Sequence, residues 1–236
     1  MATEVLDPSR SLRPLHRRPF VCTSIGKKFL MGVTGLIWAG FVLTHMAANL
    51  LILISKDLYN AYGYAITGGA FIYVAETVLV LSLIVHVVTA VSLTIENRKA
   101  RGSSYAARSR GAKAASGASL TMAPQGLIIL VFIILHIATF KYGAYYETTV
   151  HGTTMRDLHR LVLEVFHQPK FVVWYLFALV ILGVHLSHGL GSTIQSLGLK
   201  SETMSERWIK RISVLYGVVV ATGFLSQPIY VYFFAD

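Results

Sequence analysis

The chain is short of cysteine, of charge and of acids, and each shortage excludes something. One cysteine, Cys22, stands in 236 residues. A single thiol closes no internal disulfide and holds no iron–sulfur cluster, which takes about four Cys ligands. No C-x-x-C-H occurs, so covalently attached c-type haem is excluded. Neither a G-x-G-x-x-G fingerprint nor a Walker A loop is present. Any soluble redox or energy machinery is therefore expected on another chain. Charged residues make up only 14%, against about 25% in an ordinary soluble domain.

Apolar side chains fill that gap. They form 54% of the chain, with a mean hydropathy of +0.59. The sequence predicts an all-α integral membrane protein with no cleavable secretory signal. Its first ~25 residues are polar and basic, and its first apolar run is long enough to stay in the membrane. Five apolar segments stand out, at about 29–54, 71–97, 121–141, 170–197 and 208–234, after a tail over 1–28. Each approaches or exceeds the ~20 residues that cross a bilayer core. Only helices can do so, because lipid offers backbone polar groups no partners. The Ala/Ser/Gly-rich stretch 103–119 reads as frayed helix before the third segment.

Lysine and arginine set the orientation. The tail to residue 28 and the connections 98–120 and 198–211 hold 16 of the 21 basic residues. These regions share one side if the segments alternate. The positive-inside rule puts that side, and the N-terminus, in the cytoplasm and Asp236 outside. The net charge of +10 then reflects topology and anionic membrane lipid, not nucleic acid. In the outer loop 142–169, Leu158, Leu161, Val162, Val165 and Phe166 recur at helical spacing. They predict a short amphipathic helix lying on the membrane and capping a site near the outer leaflet.

Four histidines lie inside apolar segments: His45, His86, His136 and His185. An ionisable side chain in the bilayer is a functional-site hypothesis by default. At ~1.5 Å per residue, His45 and His136 lie about 20–24 Å from the inner face, while His86 and His185 lie about 22 Å from the outer face. Each pair shares a depth and comes from two helices. Bis-histidine ligation of two b-type haems stacked across the bilayer requires that arrangement, with all four imidazoles binding haem iron. A lone intramembrane histidine often only bonds a neighbouring helix, which accounts poorly for four at paired depths. His188, one turn beyond His185, competes with it as ligand or contacts a haem propionate. His16, His151, His159 and His167 fall in polar regions and read as surface residues. Gly32, Gly35, Gly183, Gly189, Gly191 and Gly217 allow close approach of either a helix or a macrocycle.

Several motifs resemble a known family. Ser24-Ile25-Gly26-Lys27-Lys28, Met31-x-x-Thr34-Gly35, His45 and Asn49-Leu50 resemble the first helix of the cytochrome b anchor of succinate dehydrogenases and fumarate reductases. The closest likeness is to the single-polypeptide, dihaem type. Gly126 to His136 looks like that family's third haem helix. His185-Leu186-Ser187-His188-Gly189, running on to Leu197-Gly198-Leu199, is the most specific stretch, and Gln227-Pro228-Ile229-Tyr230 is also similar. The likeness spans about residues 24–232.

The resemblance implies a bacterial or archaeal cytoplasmic membrane, with a flavoprotein and an iron–sulfur subunit docked on the cytoplasmic face. It also implies electron transfer through the haems to or from a quinone, usually menaquinone. His86 and His185 would hold the haem nearer the soluble subunits, and His45 and His136 the distal one. Some relatives carry a glutamate close before the fourth-helix ligand. Gly183 and Val184 stand there in this chain.

Quinone chemistry needs proton donors beside the redox centre. Glu76, the carboxylate well inside an apolar stretch, is the candidate, with Asp57, Tyr59, Tyr62 or Tyr73 near it. An interhelically bonded carboxylate is the plain alternative. Lys27, Lys28 and Arg98 stand at the level of inner propionates and serve equally well as topology anchors. The rival readings are a cytochrome b subunit of a hydrogenase or nitrate reductase, and a membrane transporter without redox chemistry.

Overall fold

A computed structural model describes residues 19–101 and 121–235. The stretch 103–119, expected as frayed helix, and His16 lie outside the described residues. A 3-10 turn, Phe20–Cys22, precedes α1 (Ser24–Asn49), which tightens into a second 3-10 turn over Leu50–Leu53. Next come α2 (Lys56–Thr67), α3 (Phe71–Arg101) and α4 (Met122–His136), the last continued by a π turn over Ile137–Lys141. A hairpin of β1 (Glu147–Val150) and β2 (Thr153–Arg156) leads to α5 (Leu158–Phe166), α6 (Pro169–Ser196) and α7 (Glu206–Phe234).

Five of these spans are long and apolar enough to cross a membrane: Ser24–Leu53, Phe71–Lys99, Met122–Lys141, Pro169–Ser196 and Glu206–Phe234. The protein is an all-α, multi-pass membrane protein. Its outward surface bears the apolar side chains lipid requires, such as Val80, Leu127, Val173 and Leu215. Helix starts follow capping rather than hydropathy. Thr23 accepts from Gly26 N–H and Ser205 from Trp208 N–H, which moves α1 and α7 upstream of where their apolar runs begin. Gly198, with φ +68°, ends α6 in the left-handed conformation that suits a helix C-terminus.

The helices pack in a definite order. α1 lies against α3 and α6, and α4 against α6 and, more lightly, α3. These four form a square in which α1 and α4, and likewise α3 and α6, stand diagonally, without extensive packing between them. α7 sits outside the square against α6 and α1. The α6–α7 seam is built from small residues one turn apart. An added Cβ on Gly183 would meet Ala221, one on Gly217 would meet Ser187, and one on Gly191 would meet Ser213. Gly183, Gly191 and Gly217 therefore serve helix packing, as does Gly32 against Leu197, just past the end of α6. Gly35 instead faces the His86 ring, and Gly189 has open space around it.

One end of the bundle carries a cap made of α2, the hairpin and α5. The hairpin turns at His151 and Gly152, both at positive φ, as a type I′ turn demands. α5 forms where its amphipathic spacing predicts, but its apolar face lies on protein rather than on lipid. Leu161, Val162, Val165 and Phe166 are buried against Phe132 of α4, Tyr175 of α6 and Val231 of α7. The helix α2 escaped the sequence reading. It is tied to α5 by fully buried Asn60, which donates to Asp157 Oδ1 at 2.9 Å and accepts from His159 N–H at 3.0 Å. Lys56 pairs with the other oxygen of Asp157 at 3.0 Å, and Arg160 N–H completes the cap of α5 at 3.0 Å.

Burial alone raises the Asp157 pKa, but its bonds from Arg160, Asn60 and Lys56 outweigh burial and hold it below the usual carboxylate range. A depressed folded pKa stabilises the fold above the unfolded value, near pH ~4, and that stabilisation fades as pH falls through the folded value. The protection of α5 amides, taken relative to their intrinsic exchange rates, is thus expected to fall on acidification below about pH 4. Asp157→Asn keeps the cap but not the charge, so it is expected to cost about 1–2 kcal/mol at neutral pH and to flatten this acid response. An unchanged acid response in that variant would place the pH dependence elsewhere.

Candidate functional site

The square of helices directs its histidines inward along both diagonals. His45 of α1 and His136 of α4 meet near the capped end, with ring centroids 5.9 Å apart and planes at 86°. An imidazole nitrogen binds a first-row metal at about 2 Å, so a metal held between two imidazoles sets their centroids roughly 6 Å apart. Phe41 stacks on His45 at 5.2 Å, and Phe132 and Phe140 flank His136 at 5.7 and 5.3 Å. The surroundings are apolar and aromatic. His136 is the last α-helical residue before the π turn, an interruption that recurs at functional sites.

His86 of α3 and His185 of α6 occupy the other diagonal. His86 and His188 are the titratable neighbours of His185, and His86 packs over Gly35 beside Thr193 of α6. Measured from the capped end, His45 and His136 lie about 8–12 Å down their helices, while His86 and His185 lie about 22–24 Å down. The two pairs are thus separated along the bundle by roughly 10–15 Å.

The second nitrogens of the rings are handled differently. His86 Nδ1 is 3.1 Å from the Thr34 hydroxyl, which donates to the Leu30 carbonyl and so is free to accept. His136 Nδ1 lies 3.2 Å from the Tyr175 hydroxyl. A hydroxyl that accepts from Nδ1–H leaves Nε2 for a ligand, and both contacts allow that arrangement. The His45 ring is contacted by the Asn49 amide. His185 Nδ1 is buried with no hydrogen-bond partner, which costs free energy unless another group supplies one.

Among the described residues, no three His, Cys, Asp or Glu side chains converge on one point. Two opposed imidazoles suit a metal whose remaining ligands come from a planar macrocycle, inserted where the diagonal helices stand apart. The His45–His136 ring spacing is compatible with haem ligation, and His86 and His185 offer the same donor chemistry.

The expected quinone residues do not assemble into one site. Glu76 forms an interhelical ion pair with Lys141 at the capped end. Tyr59 donates to Asn49 at 3.0 Å, and burial pushes its phenol up to about 12. Asp57, Tyr62 and Tyr73 are exposed. At the opposite end Lys27 is engaged by Glu96 and by Ser92, while Lys28 and Arg98 are exposed and His188 is half-buried. A groove of about 340 Å³ opens between α1 and α3, with Leu30, Val85 and Val88 as apolar wall and Lys27, Thr89 and Ser92 as polar rim. Sequence reading missed Thr34, Asn49 and Tyr175 as ring partners. Thr34 and Asn49 stand one or two turns from conspicuous residues, whereas Tyr175 carries no signal of its own. Comparison of the chain with protein-family models, with curated proteins and with solved structures finds no match.

Proposed function

We propose that this chain is a dihaem cytochrome b, the membrane anchor of a succinate:quinone oxidoreductase. The observation that carries the reading is the crossing of two histidine pairs on the two diagonals of one helix square, at separate levels. His45 and His136 would hold one haem and His86 and His185 the other. Bound there, the haems would supply two one-electron carriers spaced along the membrane normal. Thr34 and Tyr175 orient their histidines, and the aromatic residues around His136 keep water out.

The succinate or fumarate partner and the cytoplasmic membrane come from the family resemblance, and the orientation from the basic residues. The uncapped end, with Lys27, Lys28 and Arg98, then faces the cytoplasm and the flavoprotein and iron–sulfur subunits. The α1–α3 groove offers a lipid-soluble quinone, menaquinone by the resemblance, a route from the bilayer to polar groups near His86. Glu76, held by Lys141, remains the carboxylate available at the distal end.

The test is a reduced-minus-oxidised spectrum of the purified chain with its haem content. A b-type band at two haems per chain is expected. No band favours a transporter, and a ratio of one leaves one pair structural. Co-purification with a hydrogenase or nitrate reductase would support the b-type reading and replace its partner.

A further inference from the structure

The cap and the histidines nearest it are joined by hydrogen bonds. α1 ends at Asn49, one turn beyond His45. Asn49 Nδ2 donates to the His45 carbonyl at 2.8 Å and rests against the ring, 3.4 Å from Nδ1 and 3.5 Å from Nε2. Its Oδ1 accepts from the Tyr59 hydroxyl at 3.0 Å. That pair of contacts sets the amide's orientation, since a flipped amide would oppose oxygen to the carbonyl.

Tyr59 is held in turn. The next residue, Asn60, is fully buried and locked to Asp157 and to the His159 amide at the start of α5. The buried face of α5 then reaches the opposite histidine. Phe166 packs edge-on against Tyr175 at 5.0 Å, and the Tyr175 hydroxyl meets His136 Nδ1. One continuous path of contacts thus runs from His45 through Asn49, Tyr59, Asn60, Asp157 and α5 to Tyr175 and His136. Among the described residues no comparable path of hydrogen bonds is seen at the inner pair, whose ring partner Thr34 stands on the spanning helix α1.

We infer that Asn49 and Tyr59 are positioning residues, and that the cap acts as a clamp fixing the relative orientation of the His45 and His136 rings. The inference rests on the haem reading. Ring orientation and second-neighbour hydrogen bonds tune a ligated iron without altering its ligands. The clamp therefore shows in the electronic signature of one centre.

The test uses the full chain purified in detergent with its haems, followed by redox titration and low-spin ferric electron paramagnetic resonance. Tyr59→Phe removes one hydroxyl and keeps the ring. Asn49→Leu removes the amide at similar size. Each is expected to displace one of the two midpoints and one of the two ferric signals, the same one in both variants, at an unchanged haem content of two. Thr34→Val is expected to displace the other signal. If Tyr59→Phe folds with both signals unmoved, or moves both equally, the clamp is wrong. If the unaltered chain carries no haem, the haem reading itself fails, an outcome distinct from unmoved signals.

Discussion

Alanine in place of His136 is expected, on the proposed dihaem reading, to halve the haem content of the purified chain, from two haems to one. His136 and His45 face each other at the capped level, their rings 5.9 Å apart, and alanine leaves no nitrogen to replace the lost one. The inner pair lies roughly 10–15 Å further down the bundle, on the other diagonal. Its haem should stay, with its own midpoint little changed. His45→Ala should give the same remaining centre, while His185→Ala or His86→Ala should leave the complementary one. The fold should survive each change, because the removed ring is polar and the surrounding phenylalanines remain. Haem-to-protein ratio, helix content by circular dichroism and the potential of the surviving centre form the measurement. Loss of both haems from a folded variant, or retention of both, would contradict the pairing.

The second large effect needs no cofactor. Gly217→Leu is expected to separate α7 from the bundle. Even the first added carbon, a Cβ, would stand 2.1 Å from Ser187 Oγ, 2.5 Å from the Gly183 carbonyl oxygen and 2.9 Å from Ser187 N. The last two are backbone, so relief requires the helices to part. In a bilayer no hydrophobic drive holds helices together, so close packing of small residues carries the association. Gly217→Ala should already cost about 1–3 kcal/mol, as overpacking does in tight seams, and leucine should exceed that. Thermal unfolding in detergent reads the effect. Gly40→Ala and Gly126→Ala serve as controls, since a Cβ at either meets nothing within 4 Å. Those two should be neutral or stabilising by up to ~1 kcal/mol, as alanine is the better helix former. Equal melting of Gly217→Ala and the controls would show that the seam tolerates opening.

The five spans and the meeting of His45 with His136 were readable because one-dimensional quantities govern them. Lipid admits only helices, and a fixed rise per residue turns sequence position into depth. Rotation about each helix axis has no such ruler. Depth placed His136 beside His45, yet nothing in it indicated that Tyr175 would face Nδ1 of one and Asn49 the ring of the other. Glu76 reads as a lone buried acid until Lys141, 65 residues away, is seen to reach it. α2 was hidden for a related reason. Its mix of tyrosines and polar residues is too polar overall to stand out, and what holds it is the bond from Asn60 to Asp157, 97 residues on. The amphipathic period of α5 was plain, but the same period serves a helix on lipid and one on protein. Phe132, Tyr175 and Val231 decide between them, and Phe132 and Val231 come from distant segments.

Diagonal pairing also interlaces the two pairs along the chain. The partners sit on the first and third spans and on the second and fourth. Any contiguous fragment that contains one complete pair must therefore contain a member of the other. Neither centre can be cut out, duplicated or transplanted as a block of sequence. During synthesis the capped-end pair becomes complete once the third span has emerged, and the inner pair waits for the fourth. On the proposed dihaem reading the two centres are consequently inherited and assembled as one unit, whatever separate roles their positions in the membrane give them.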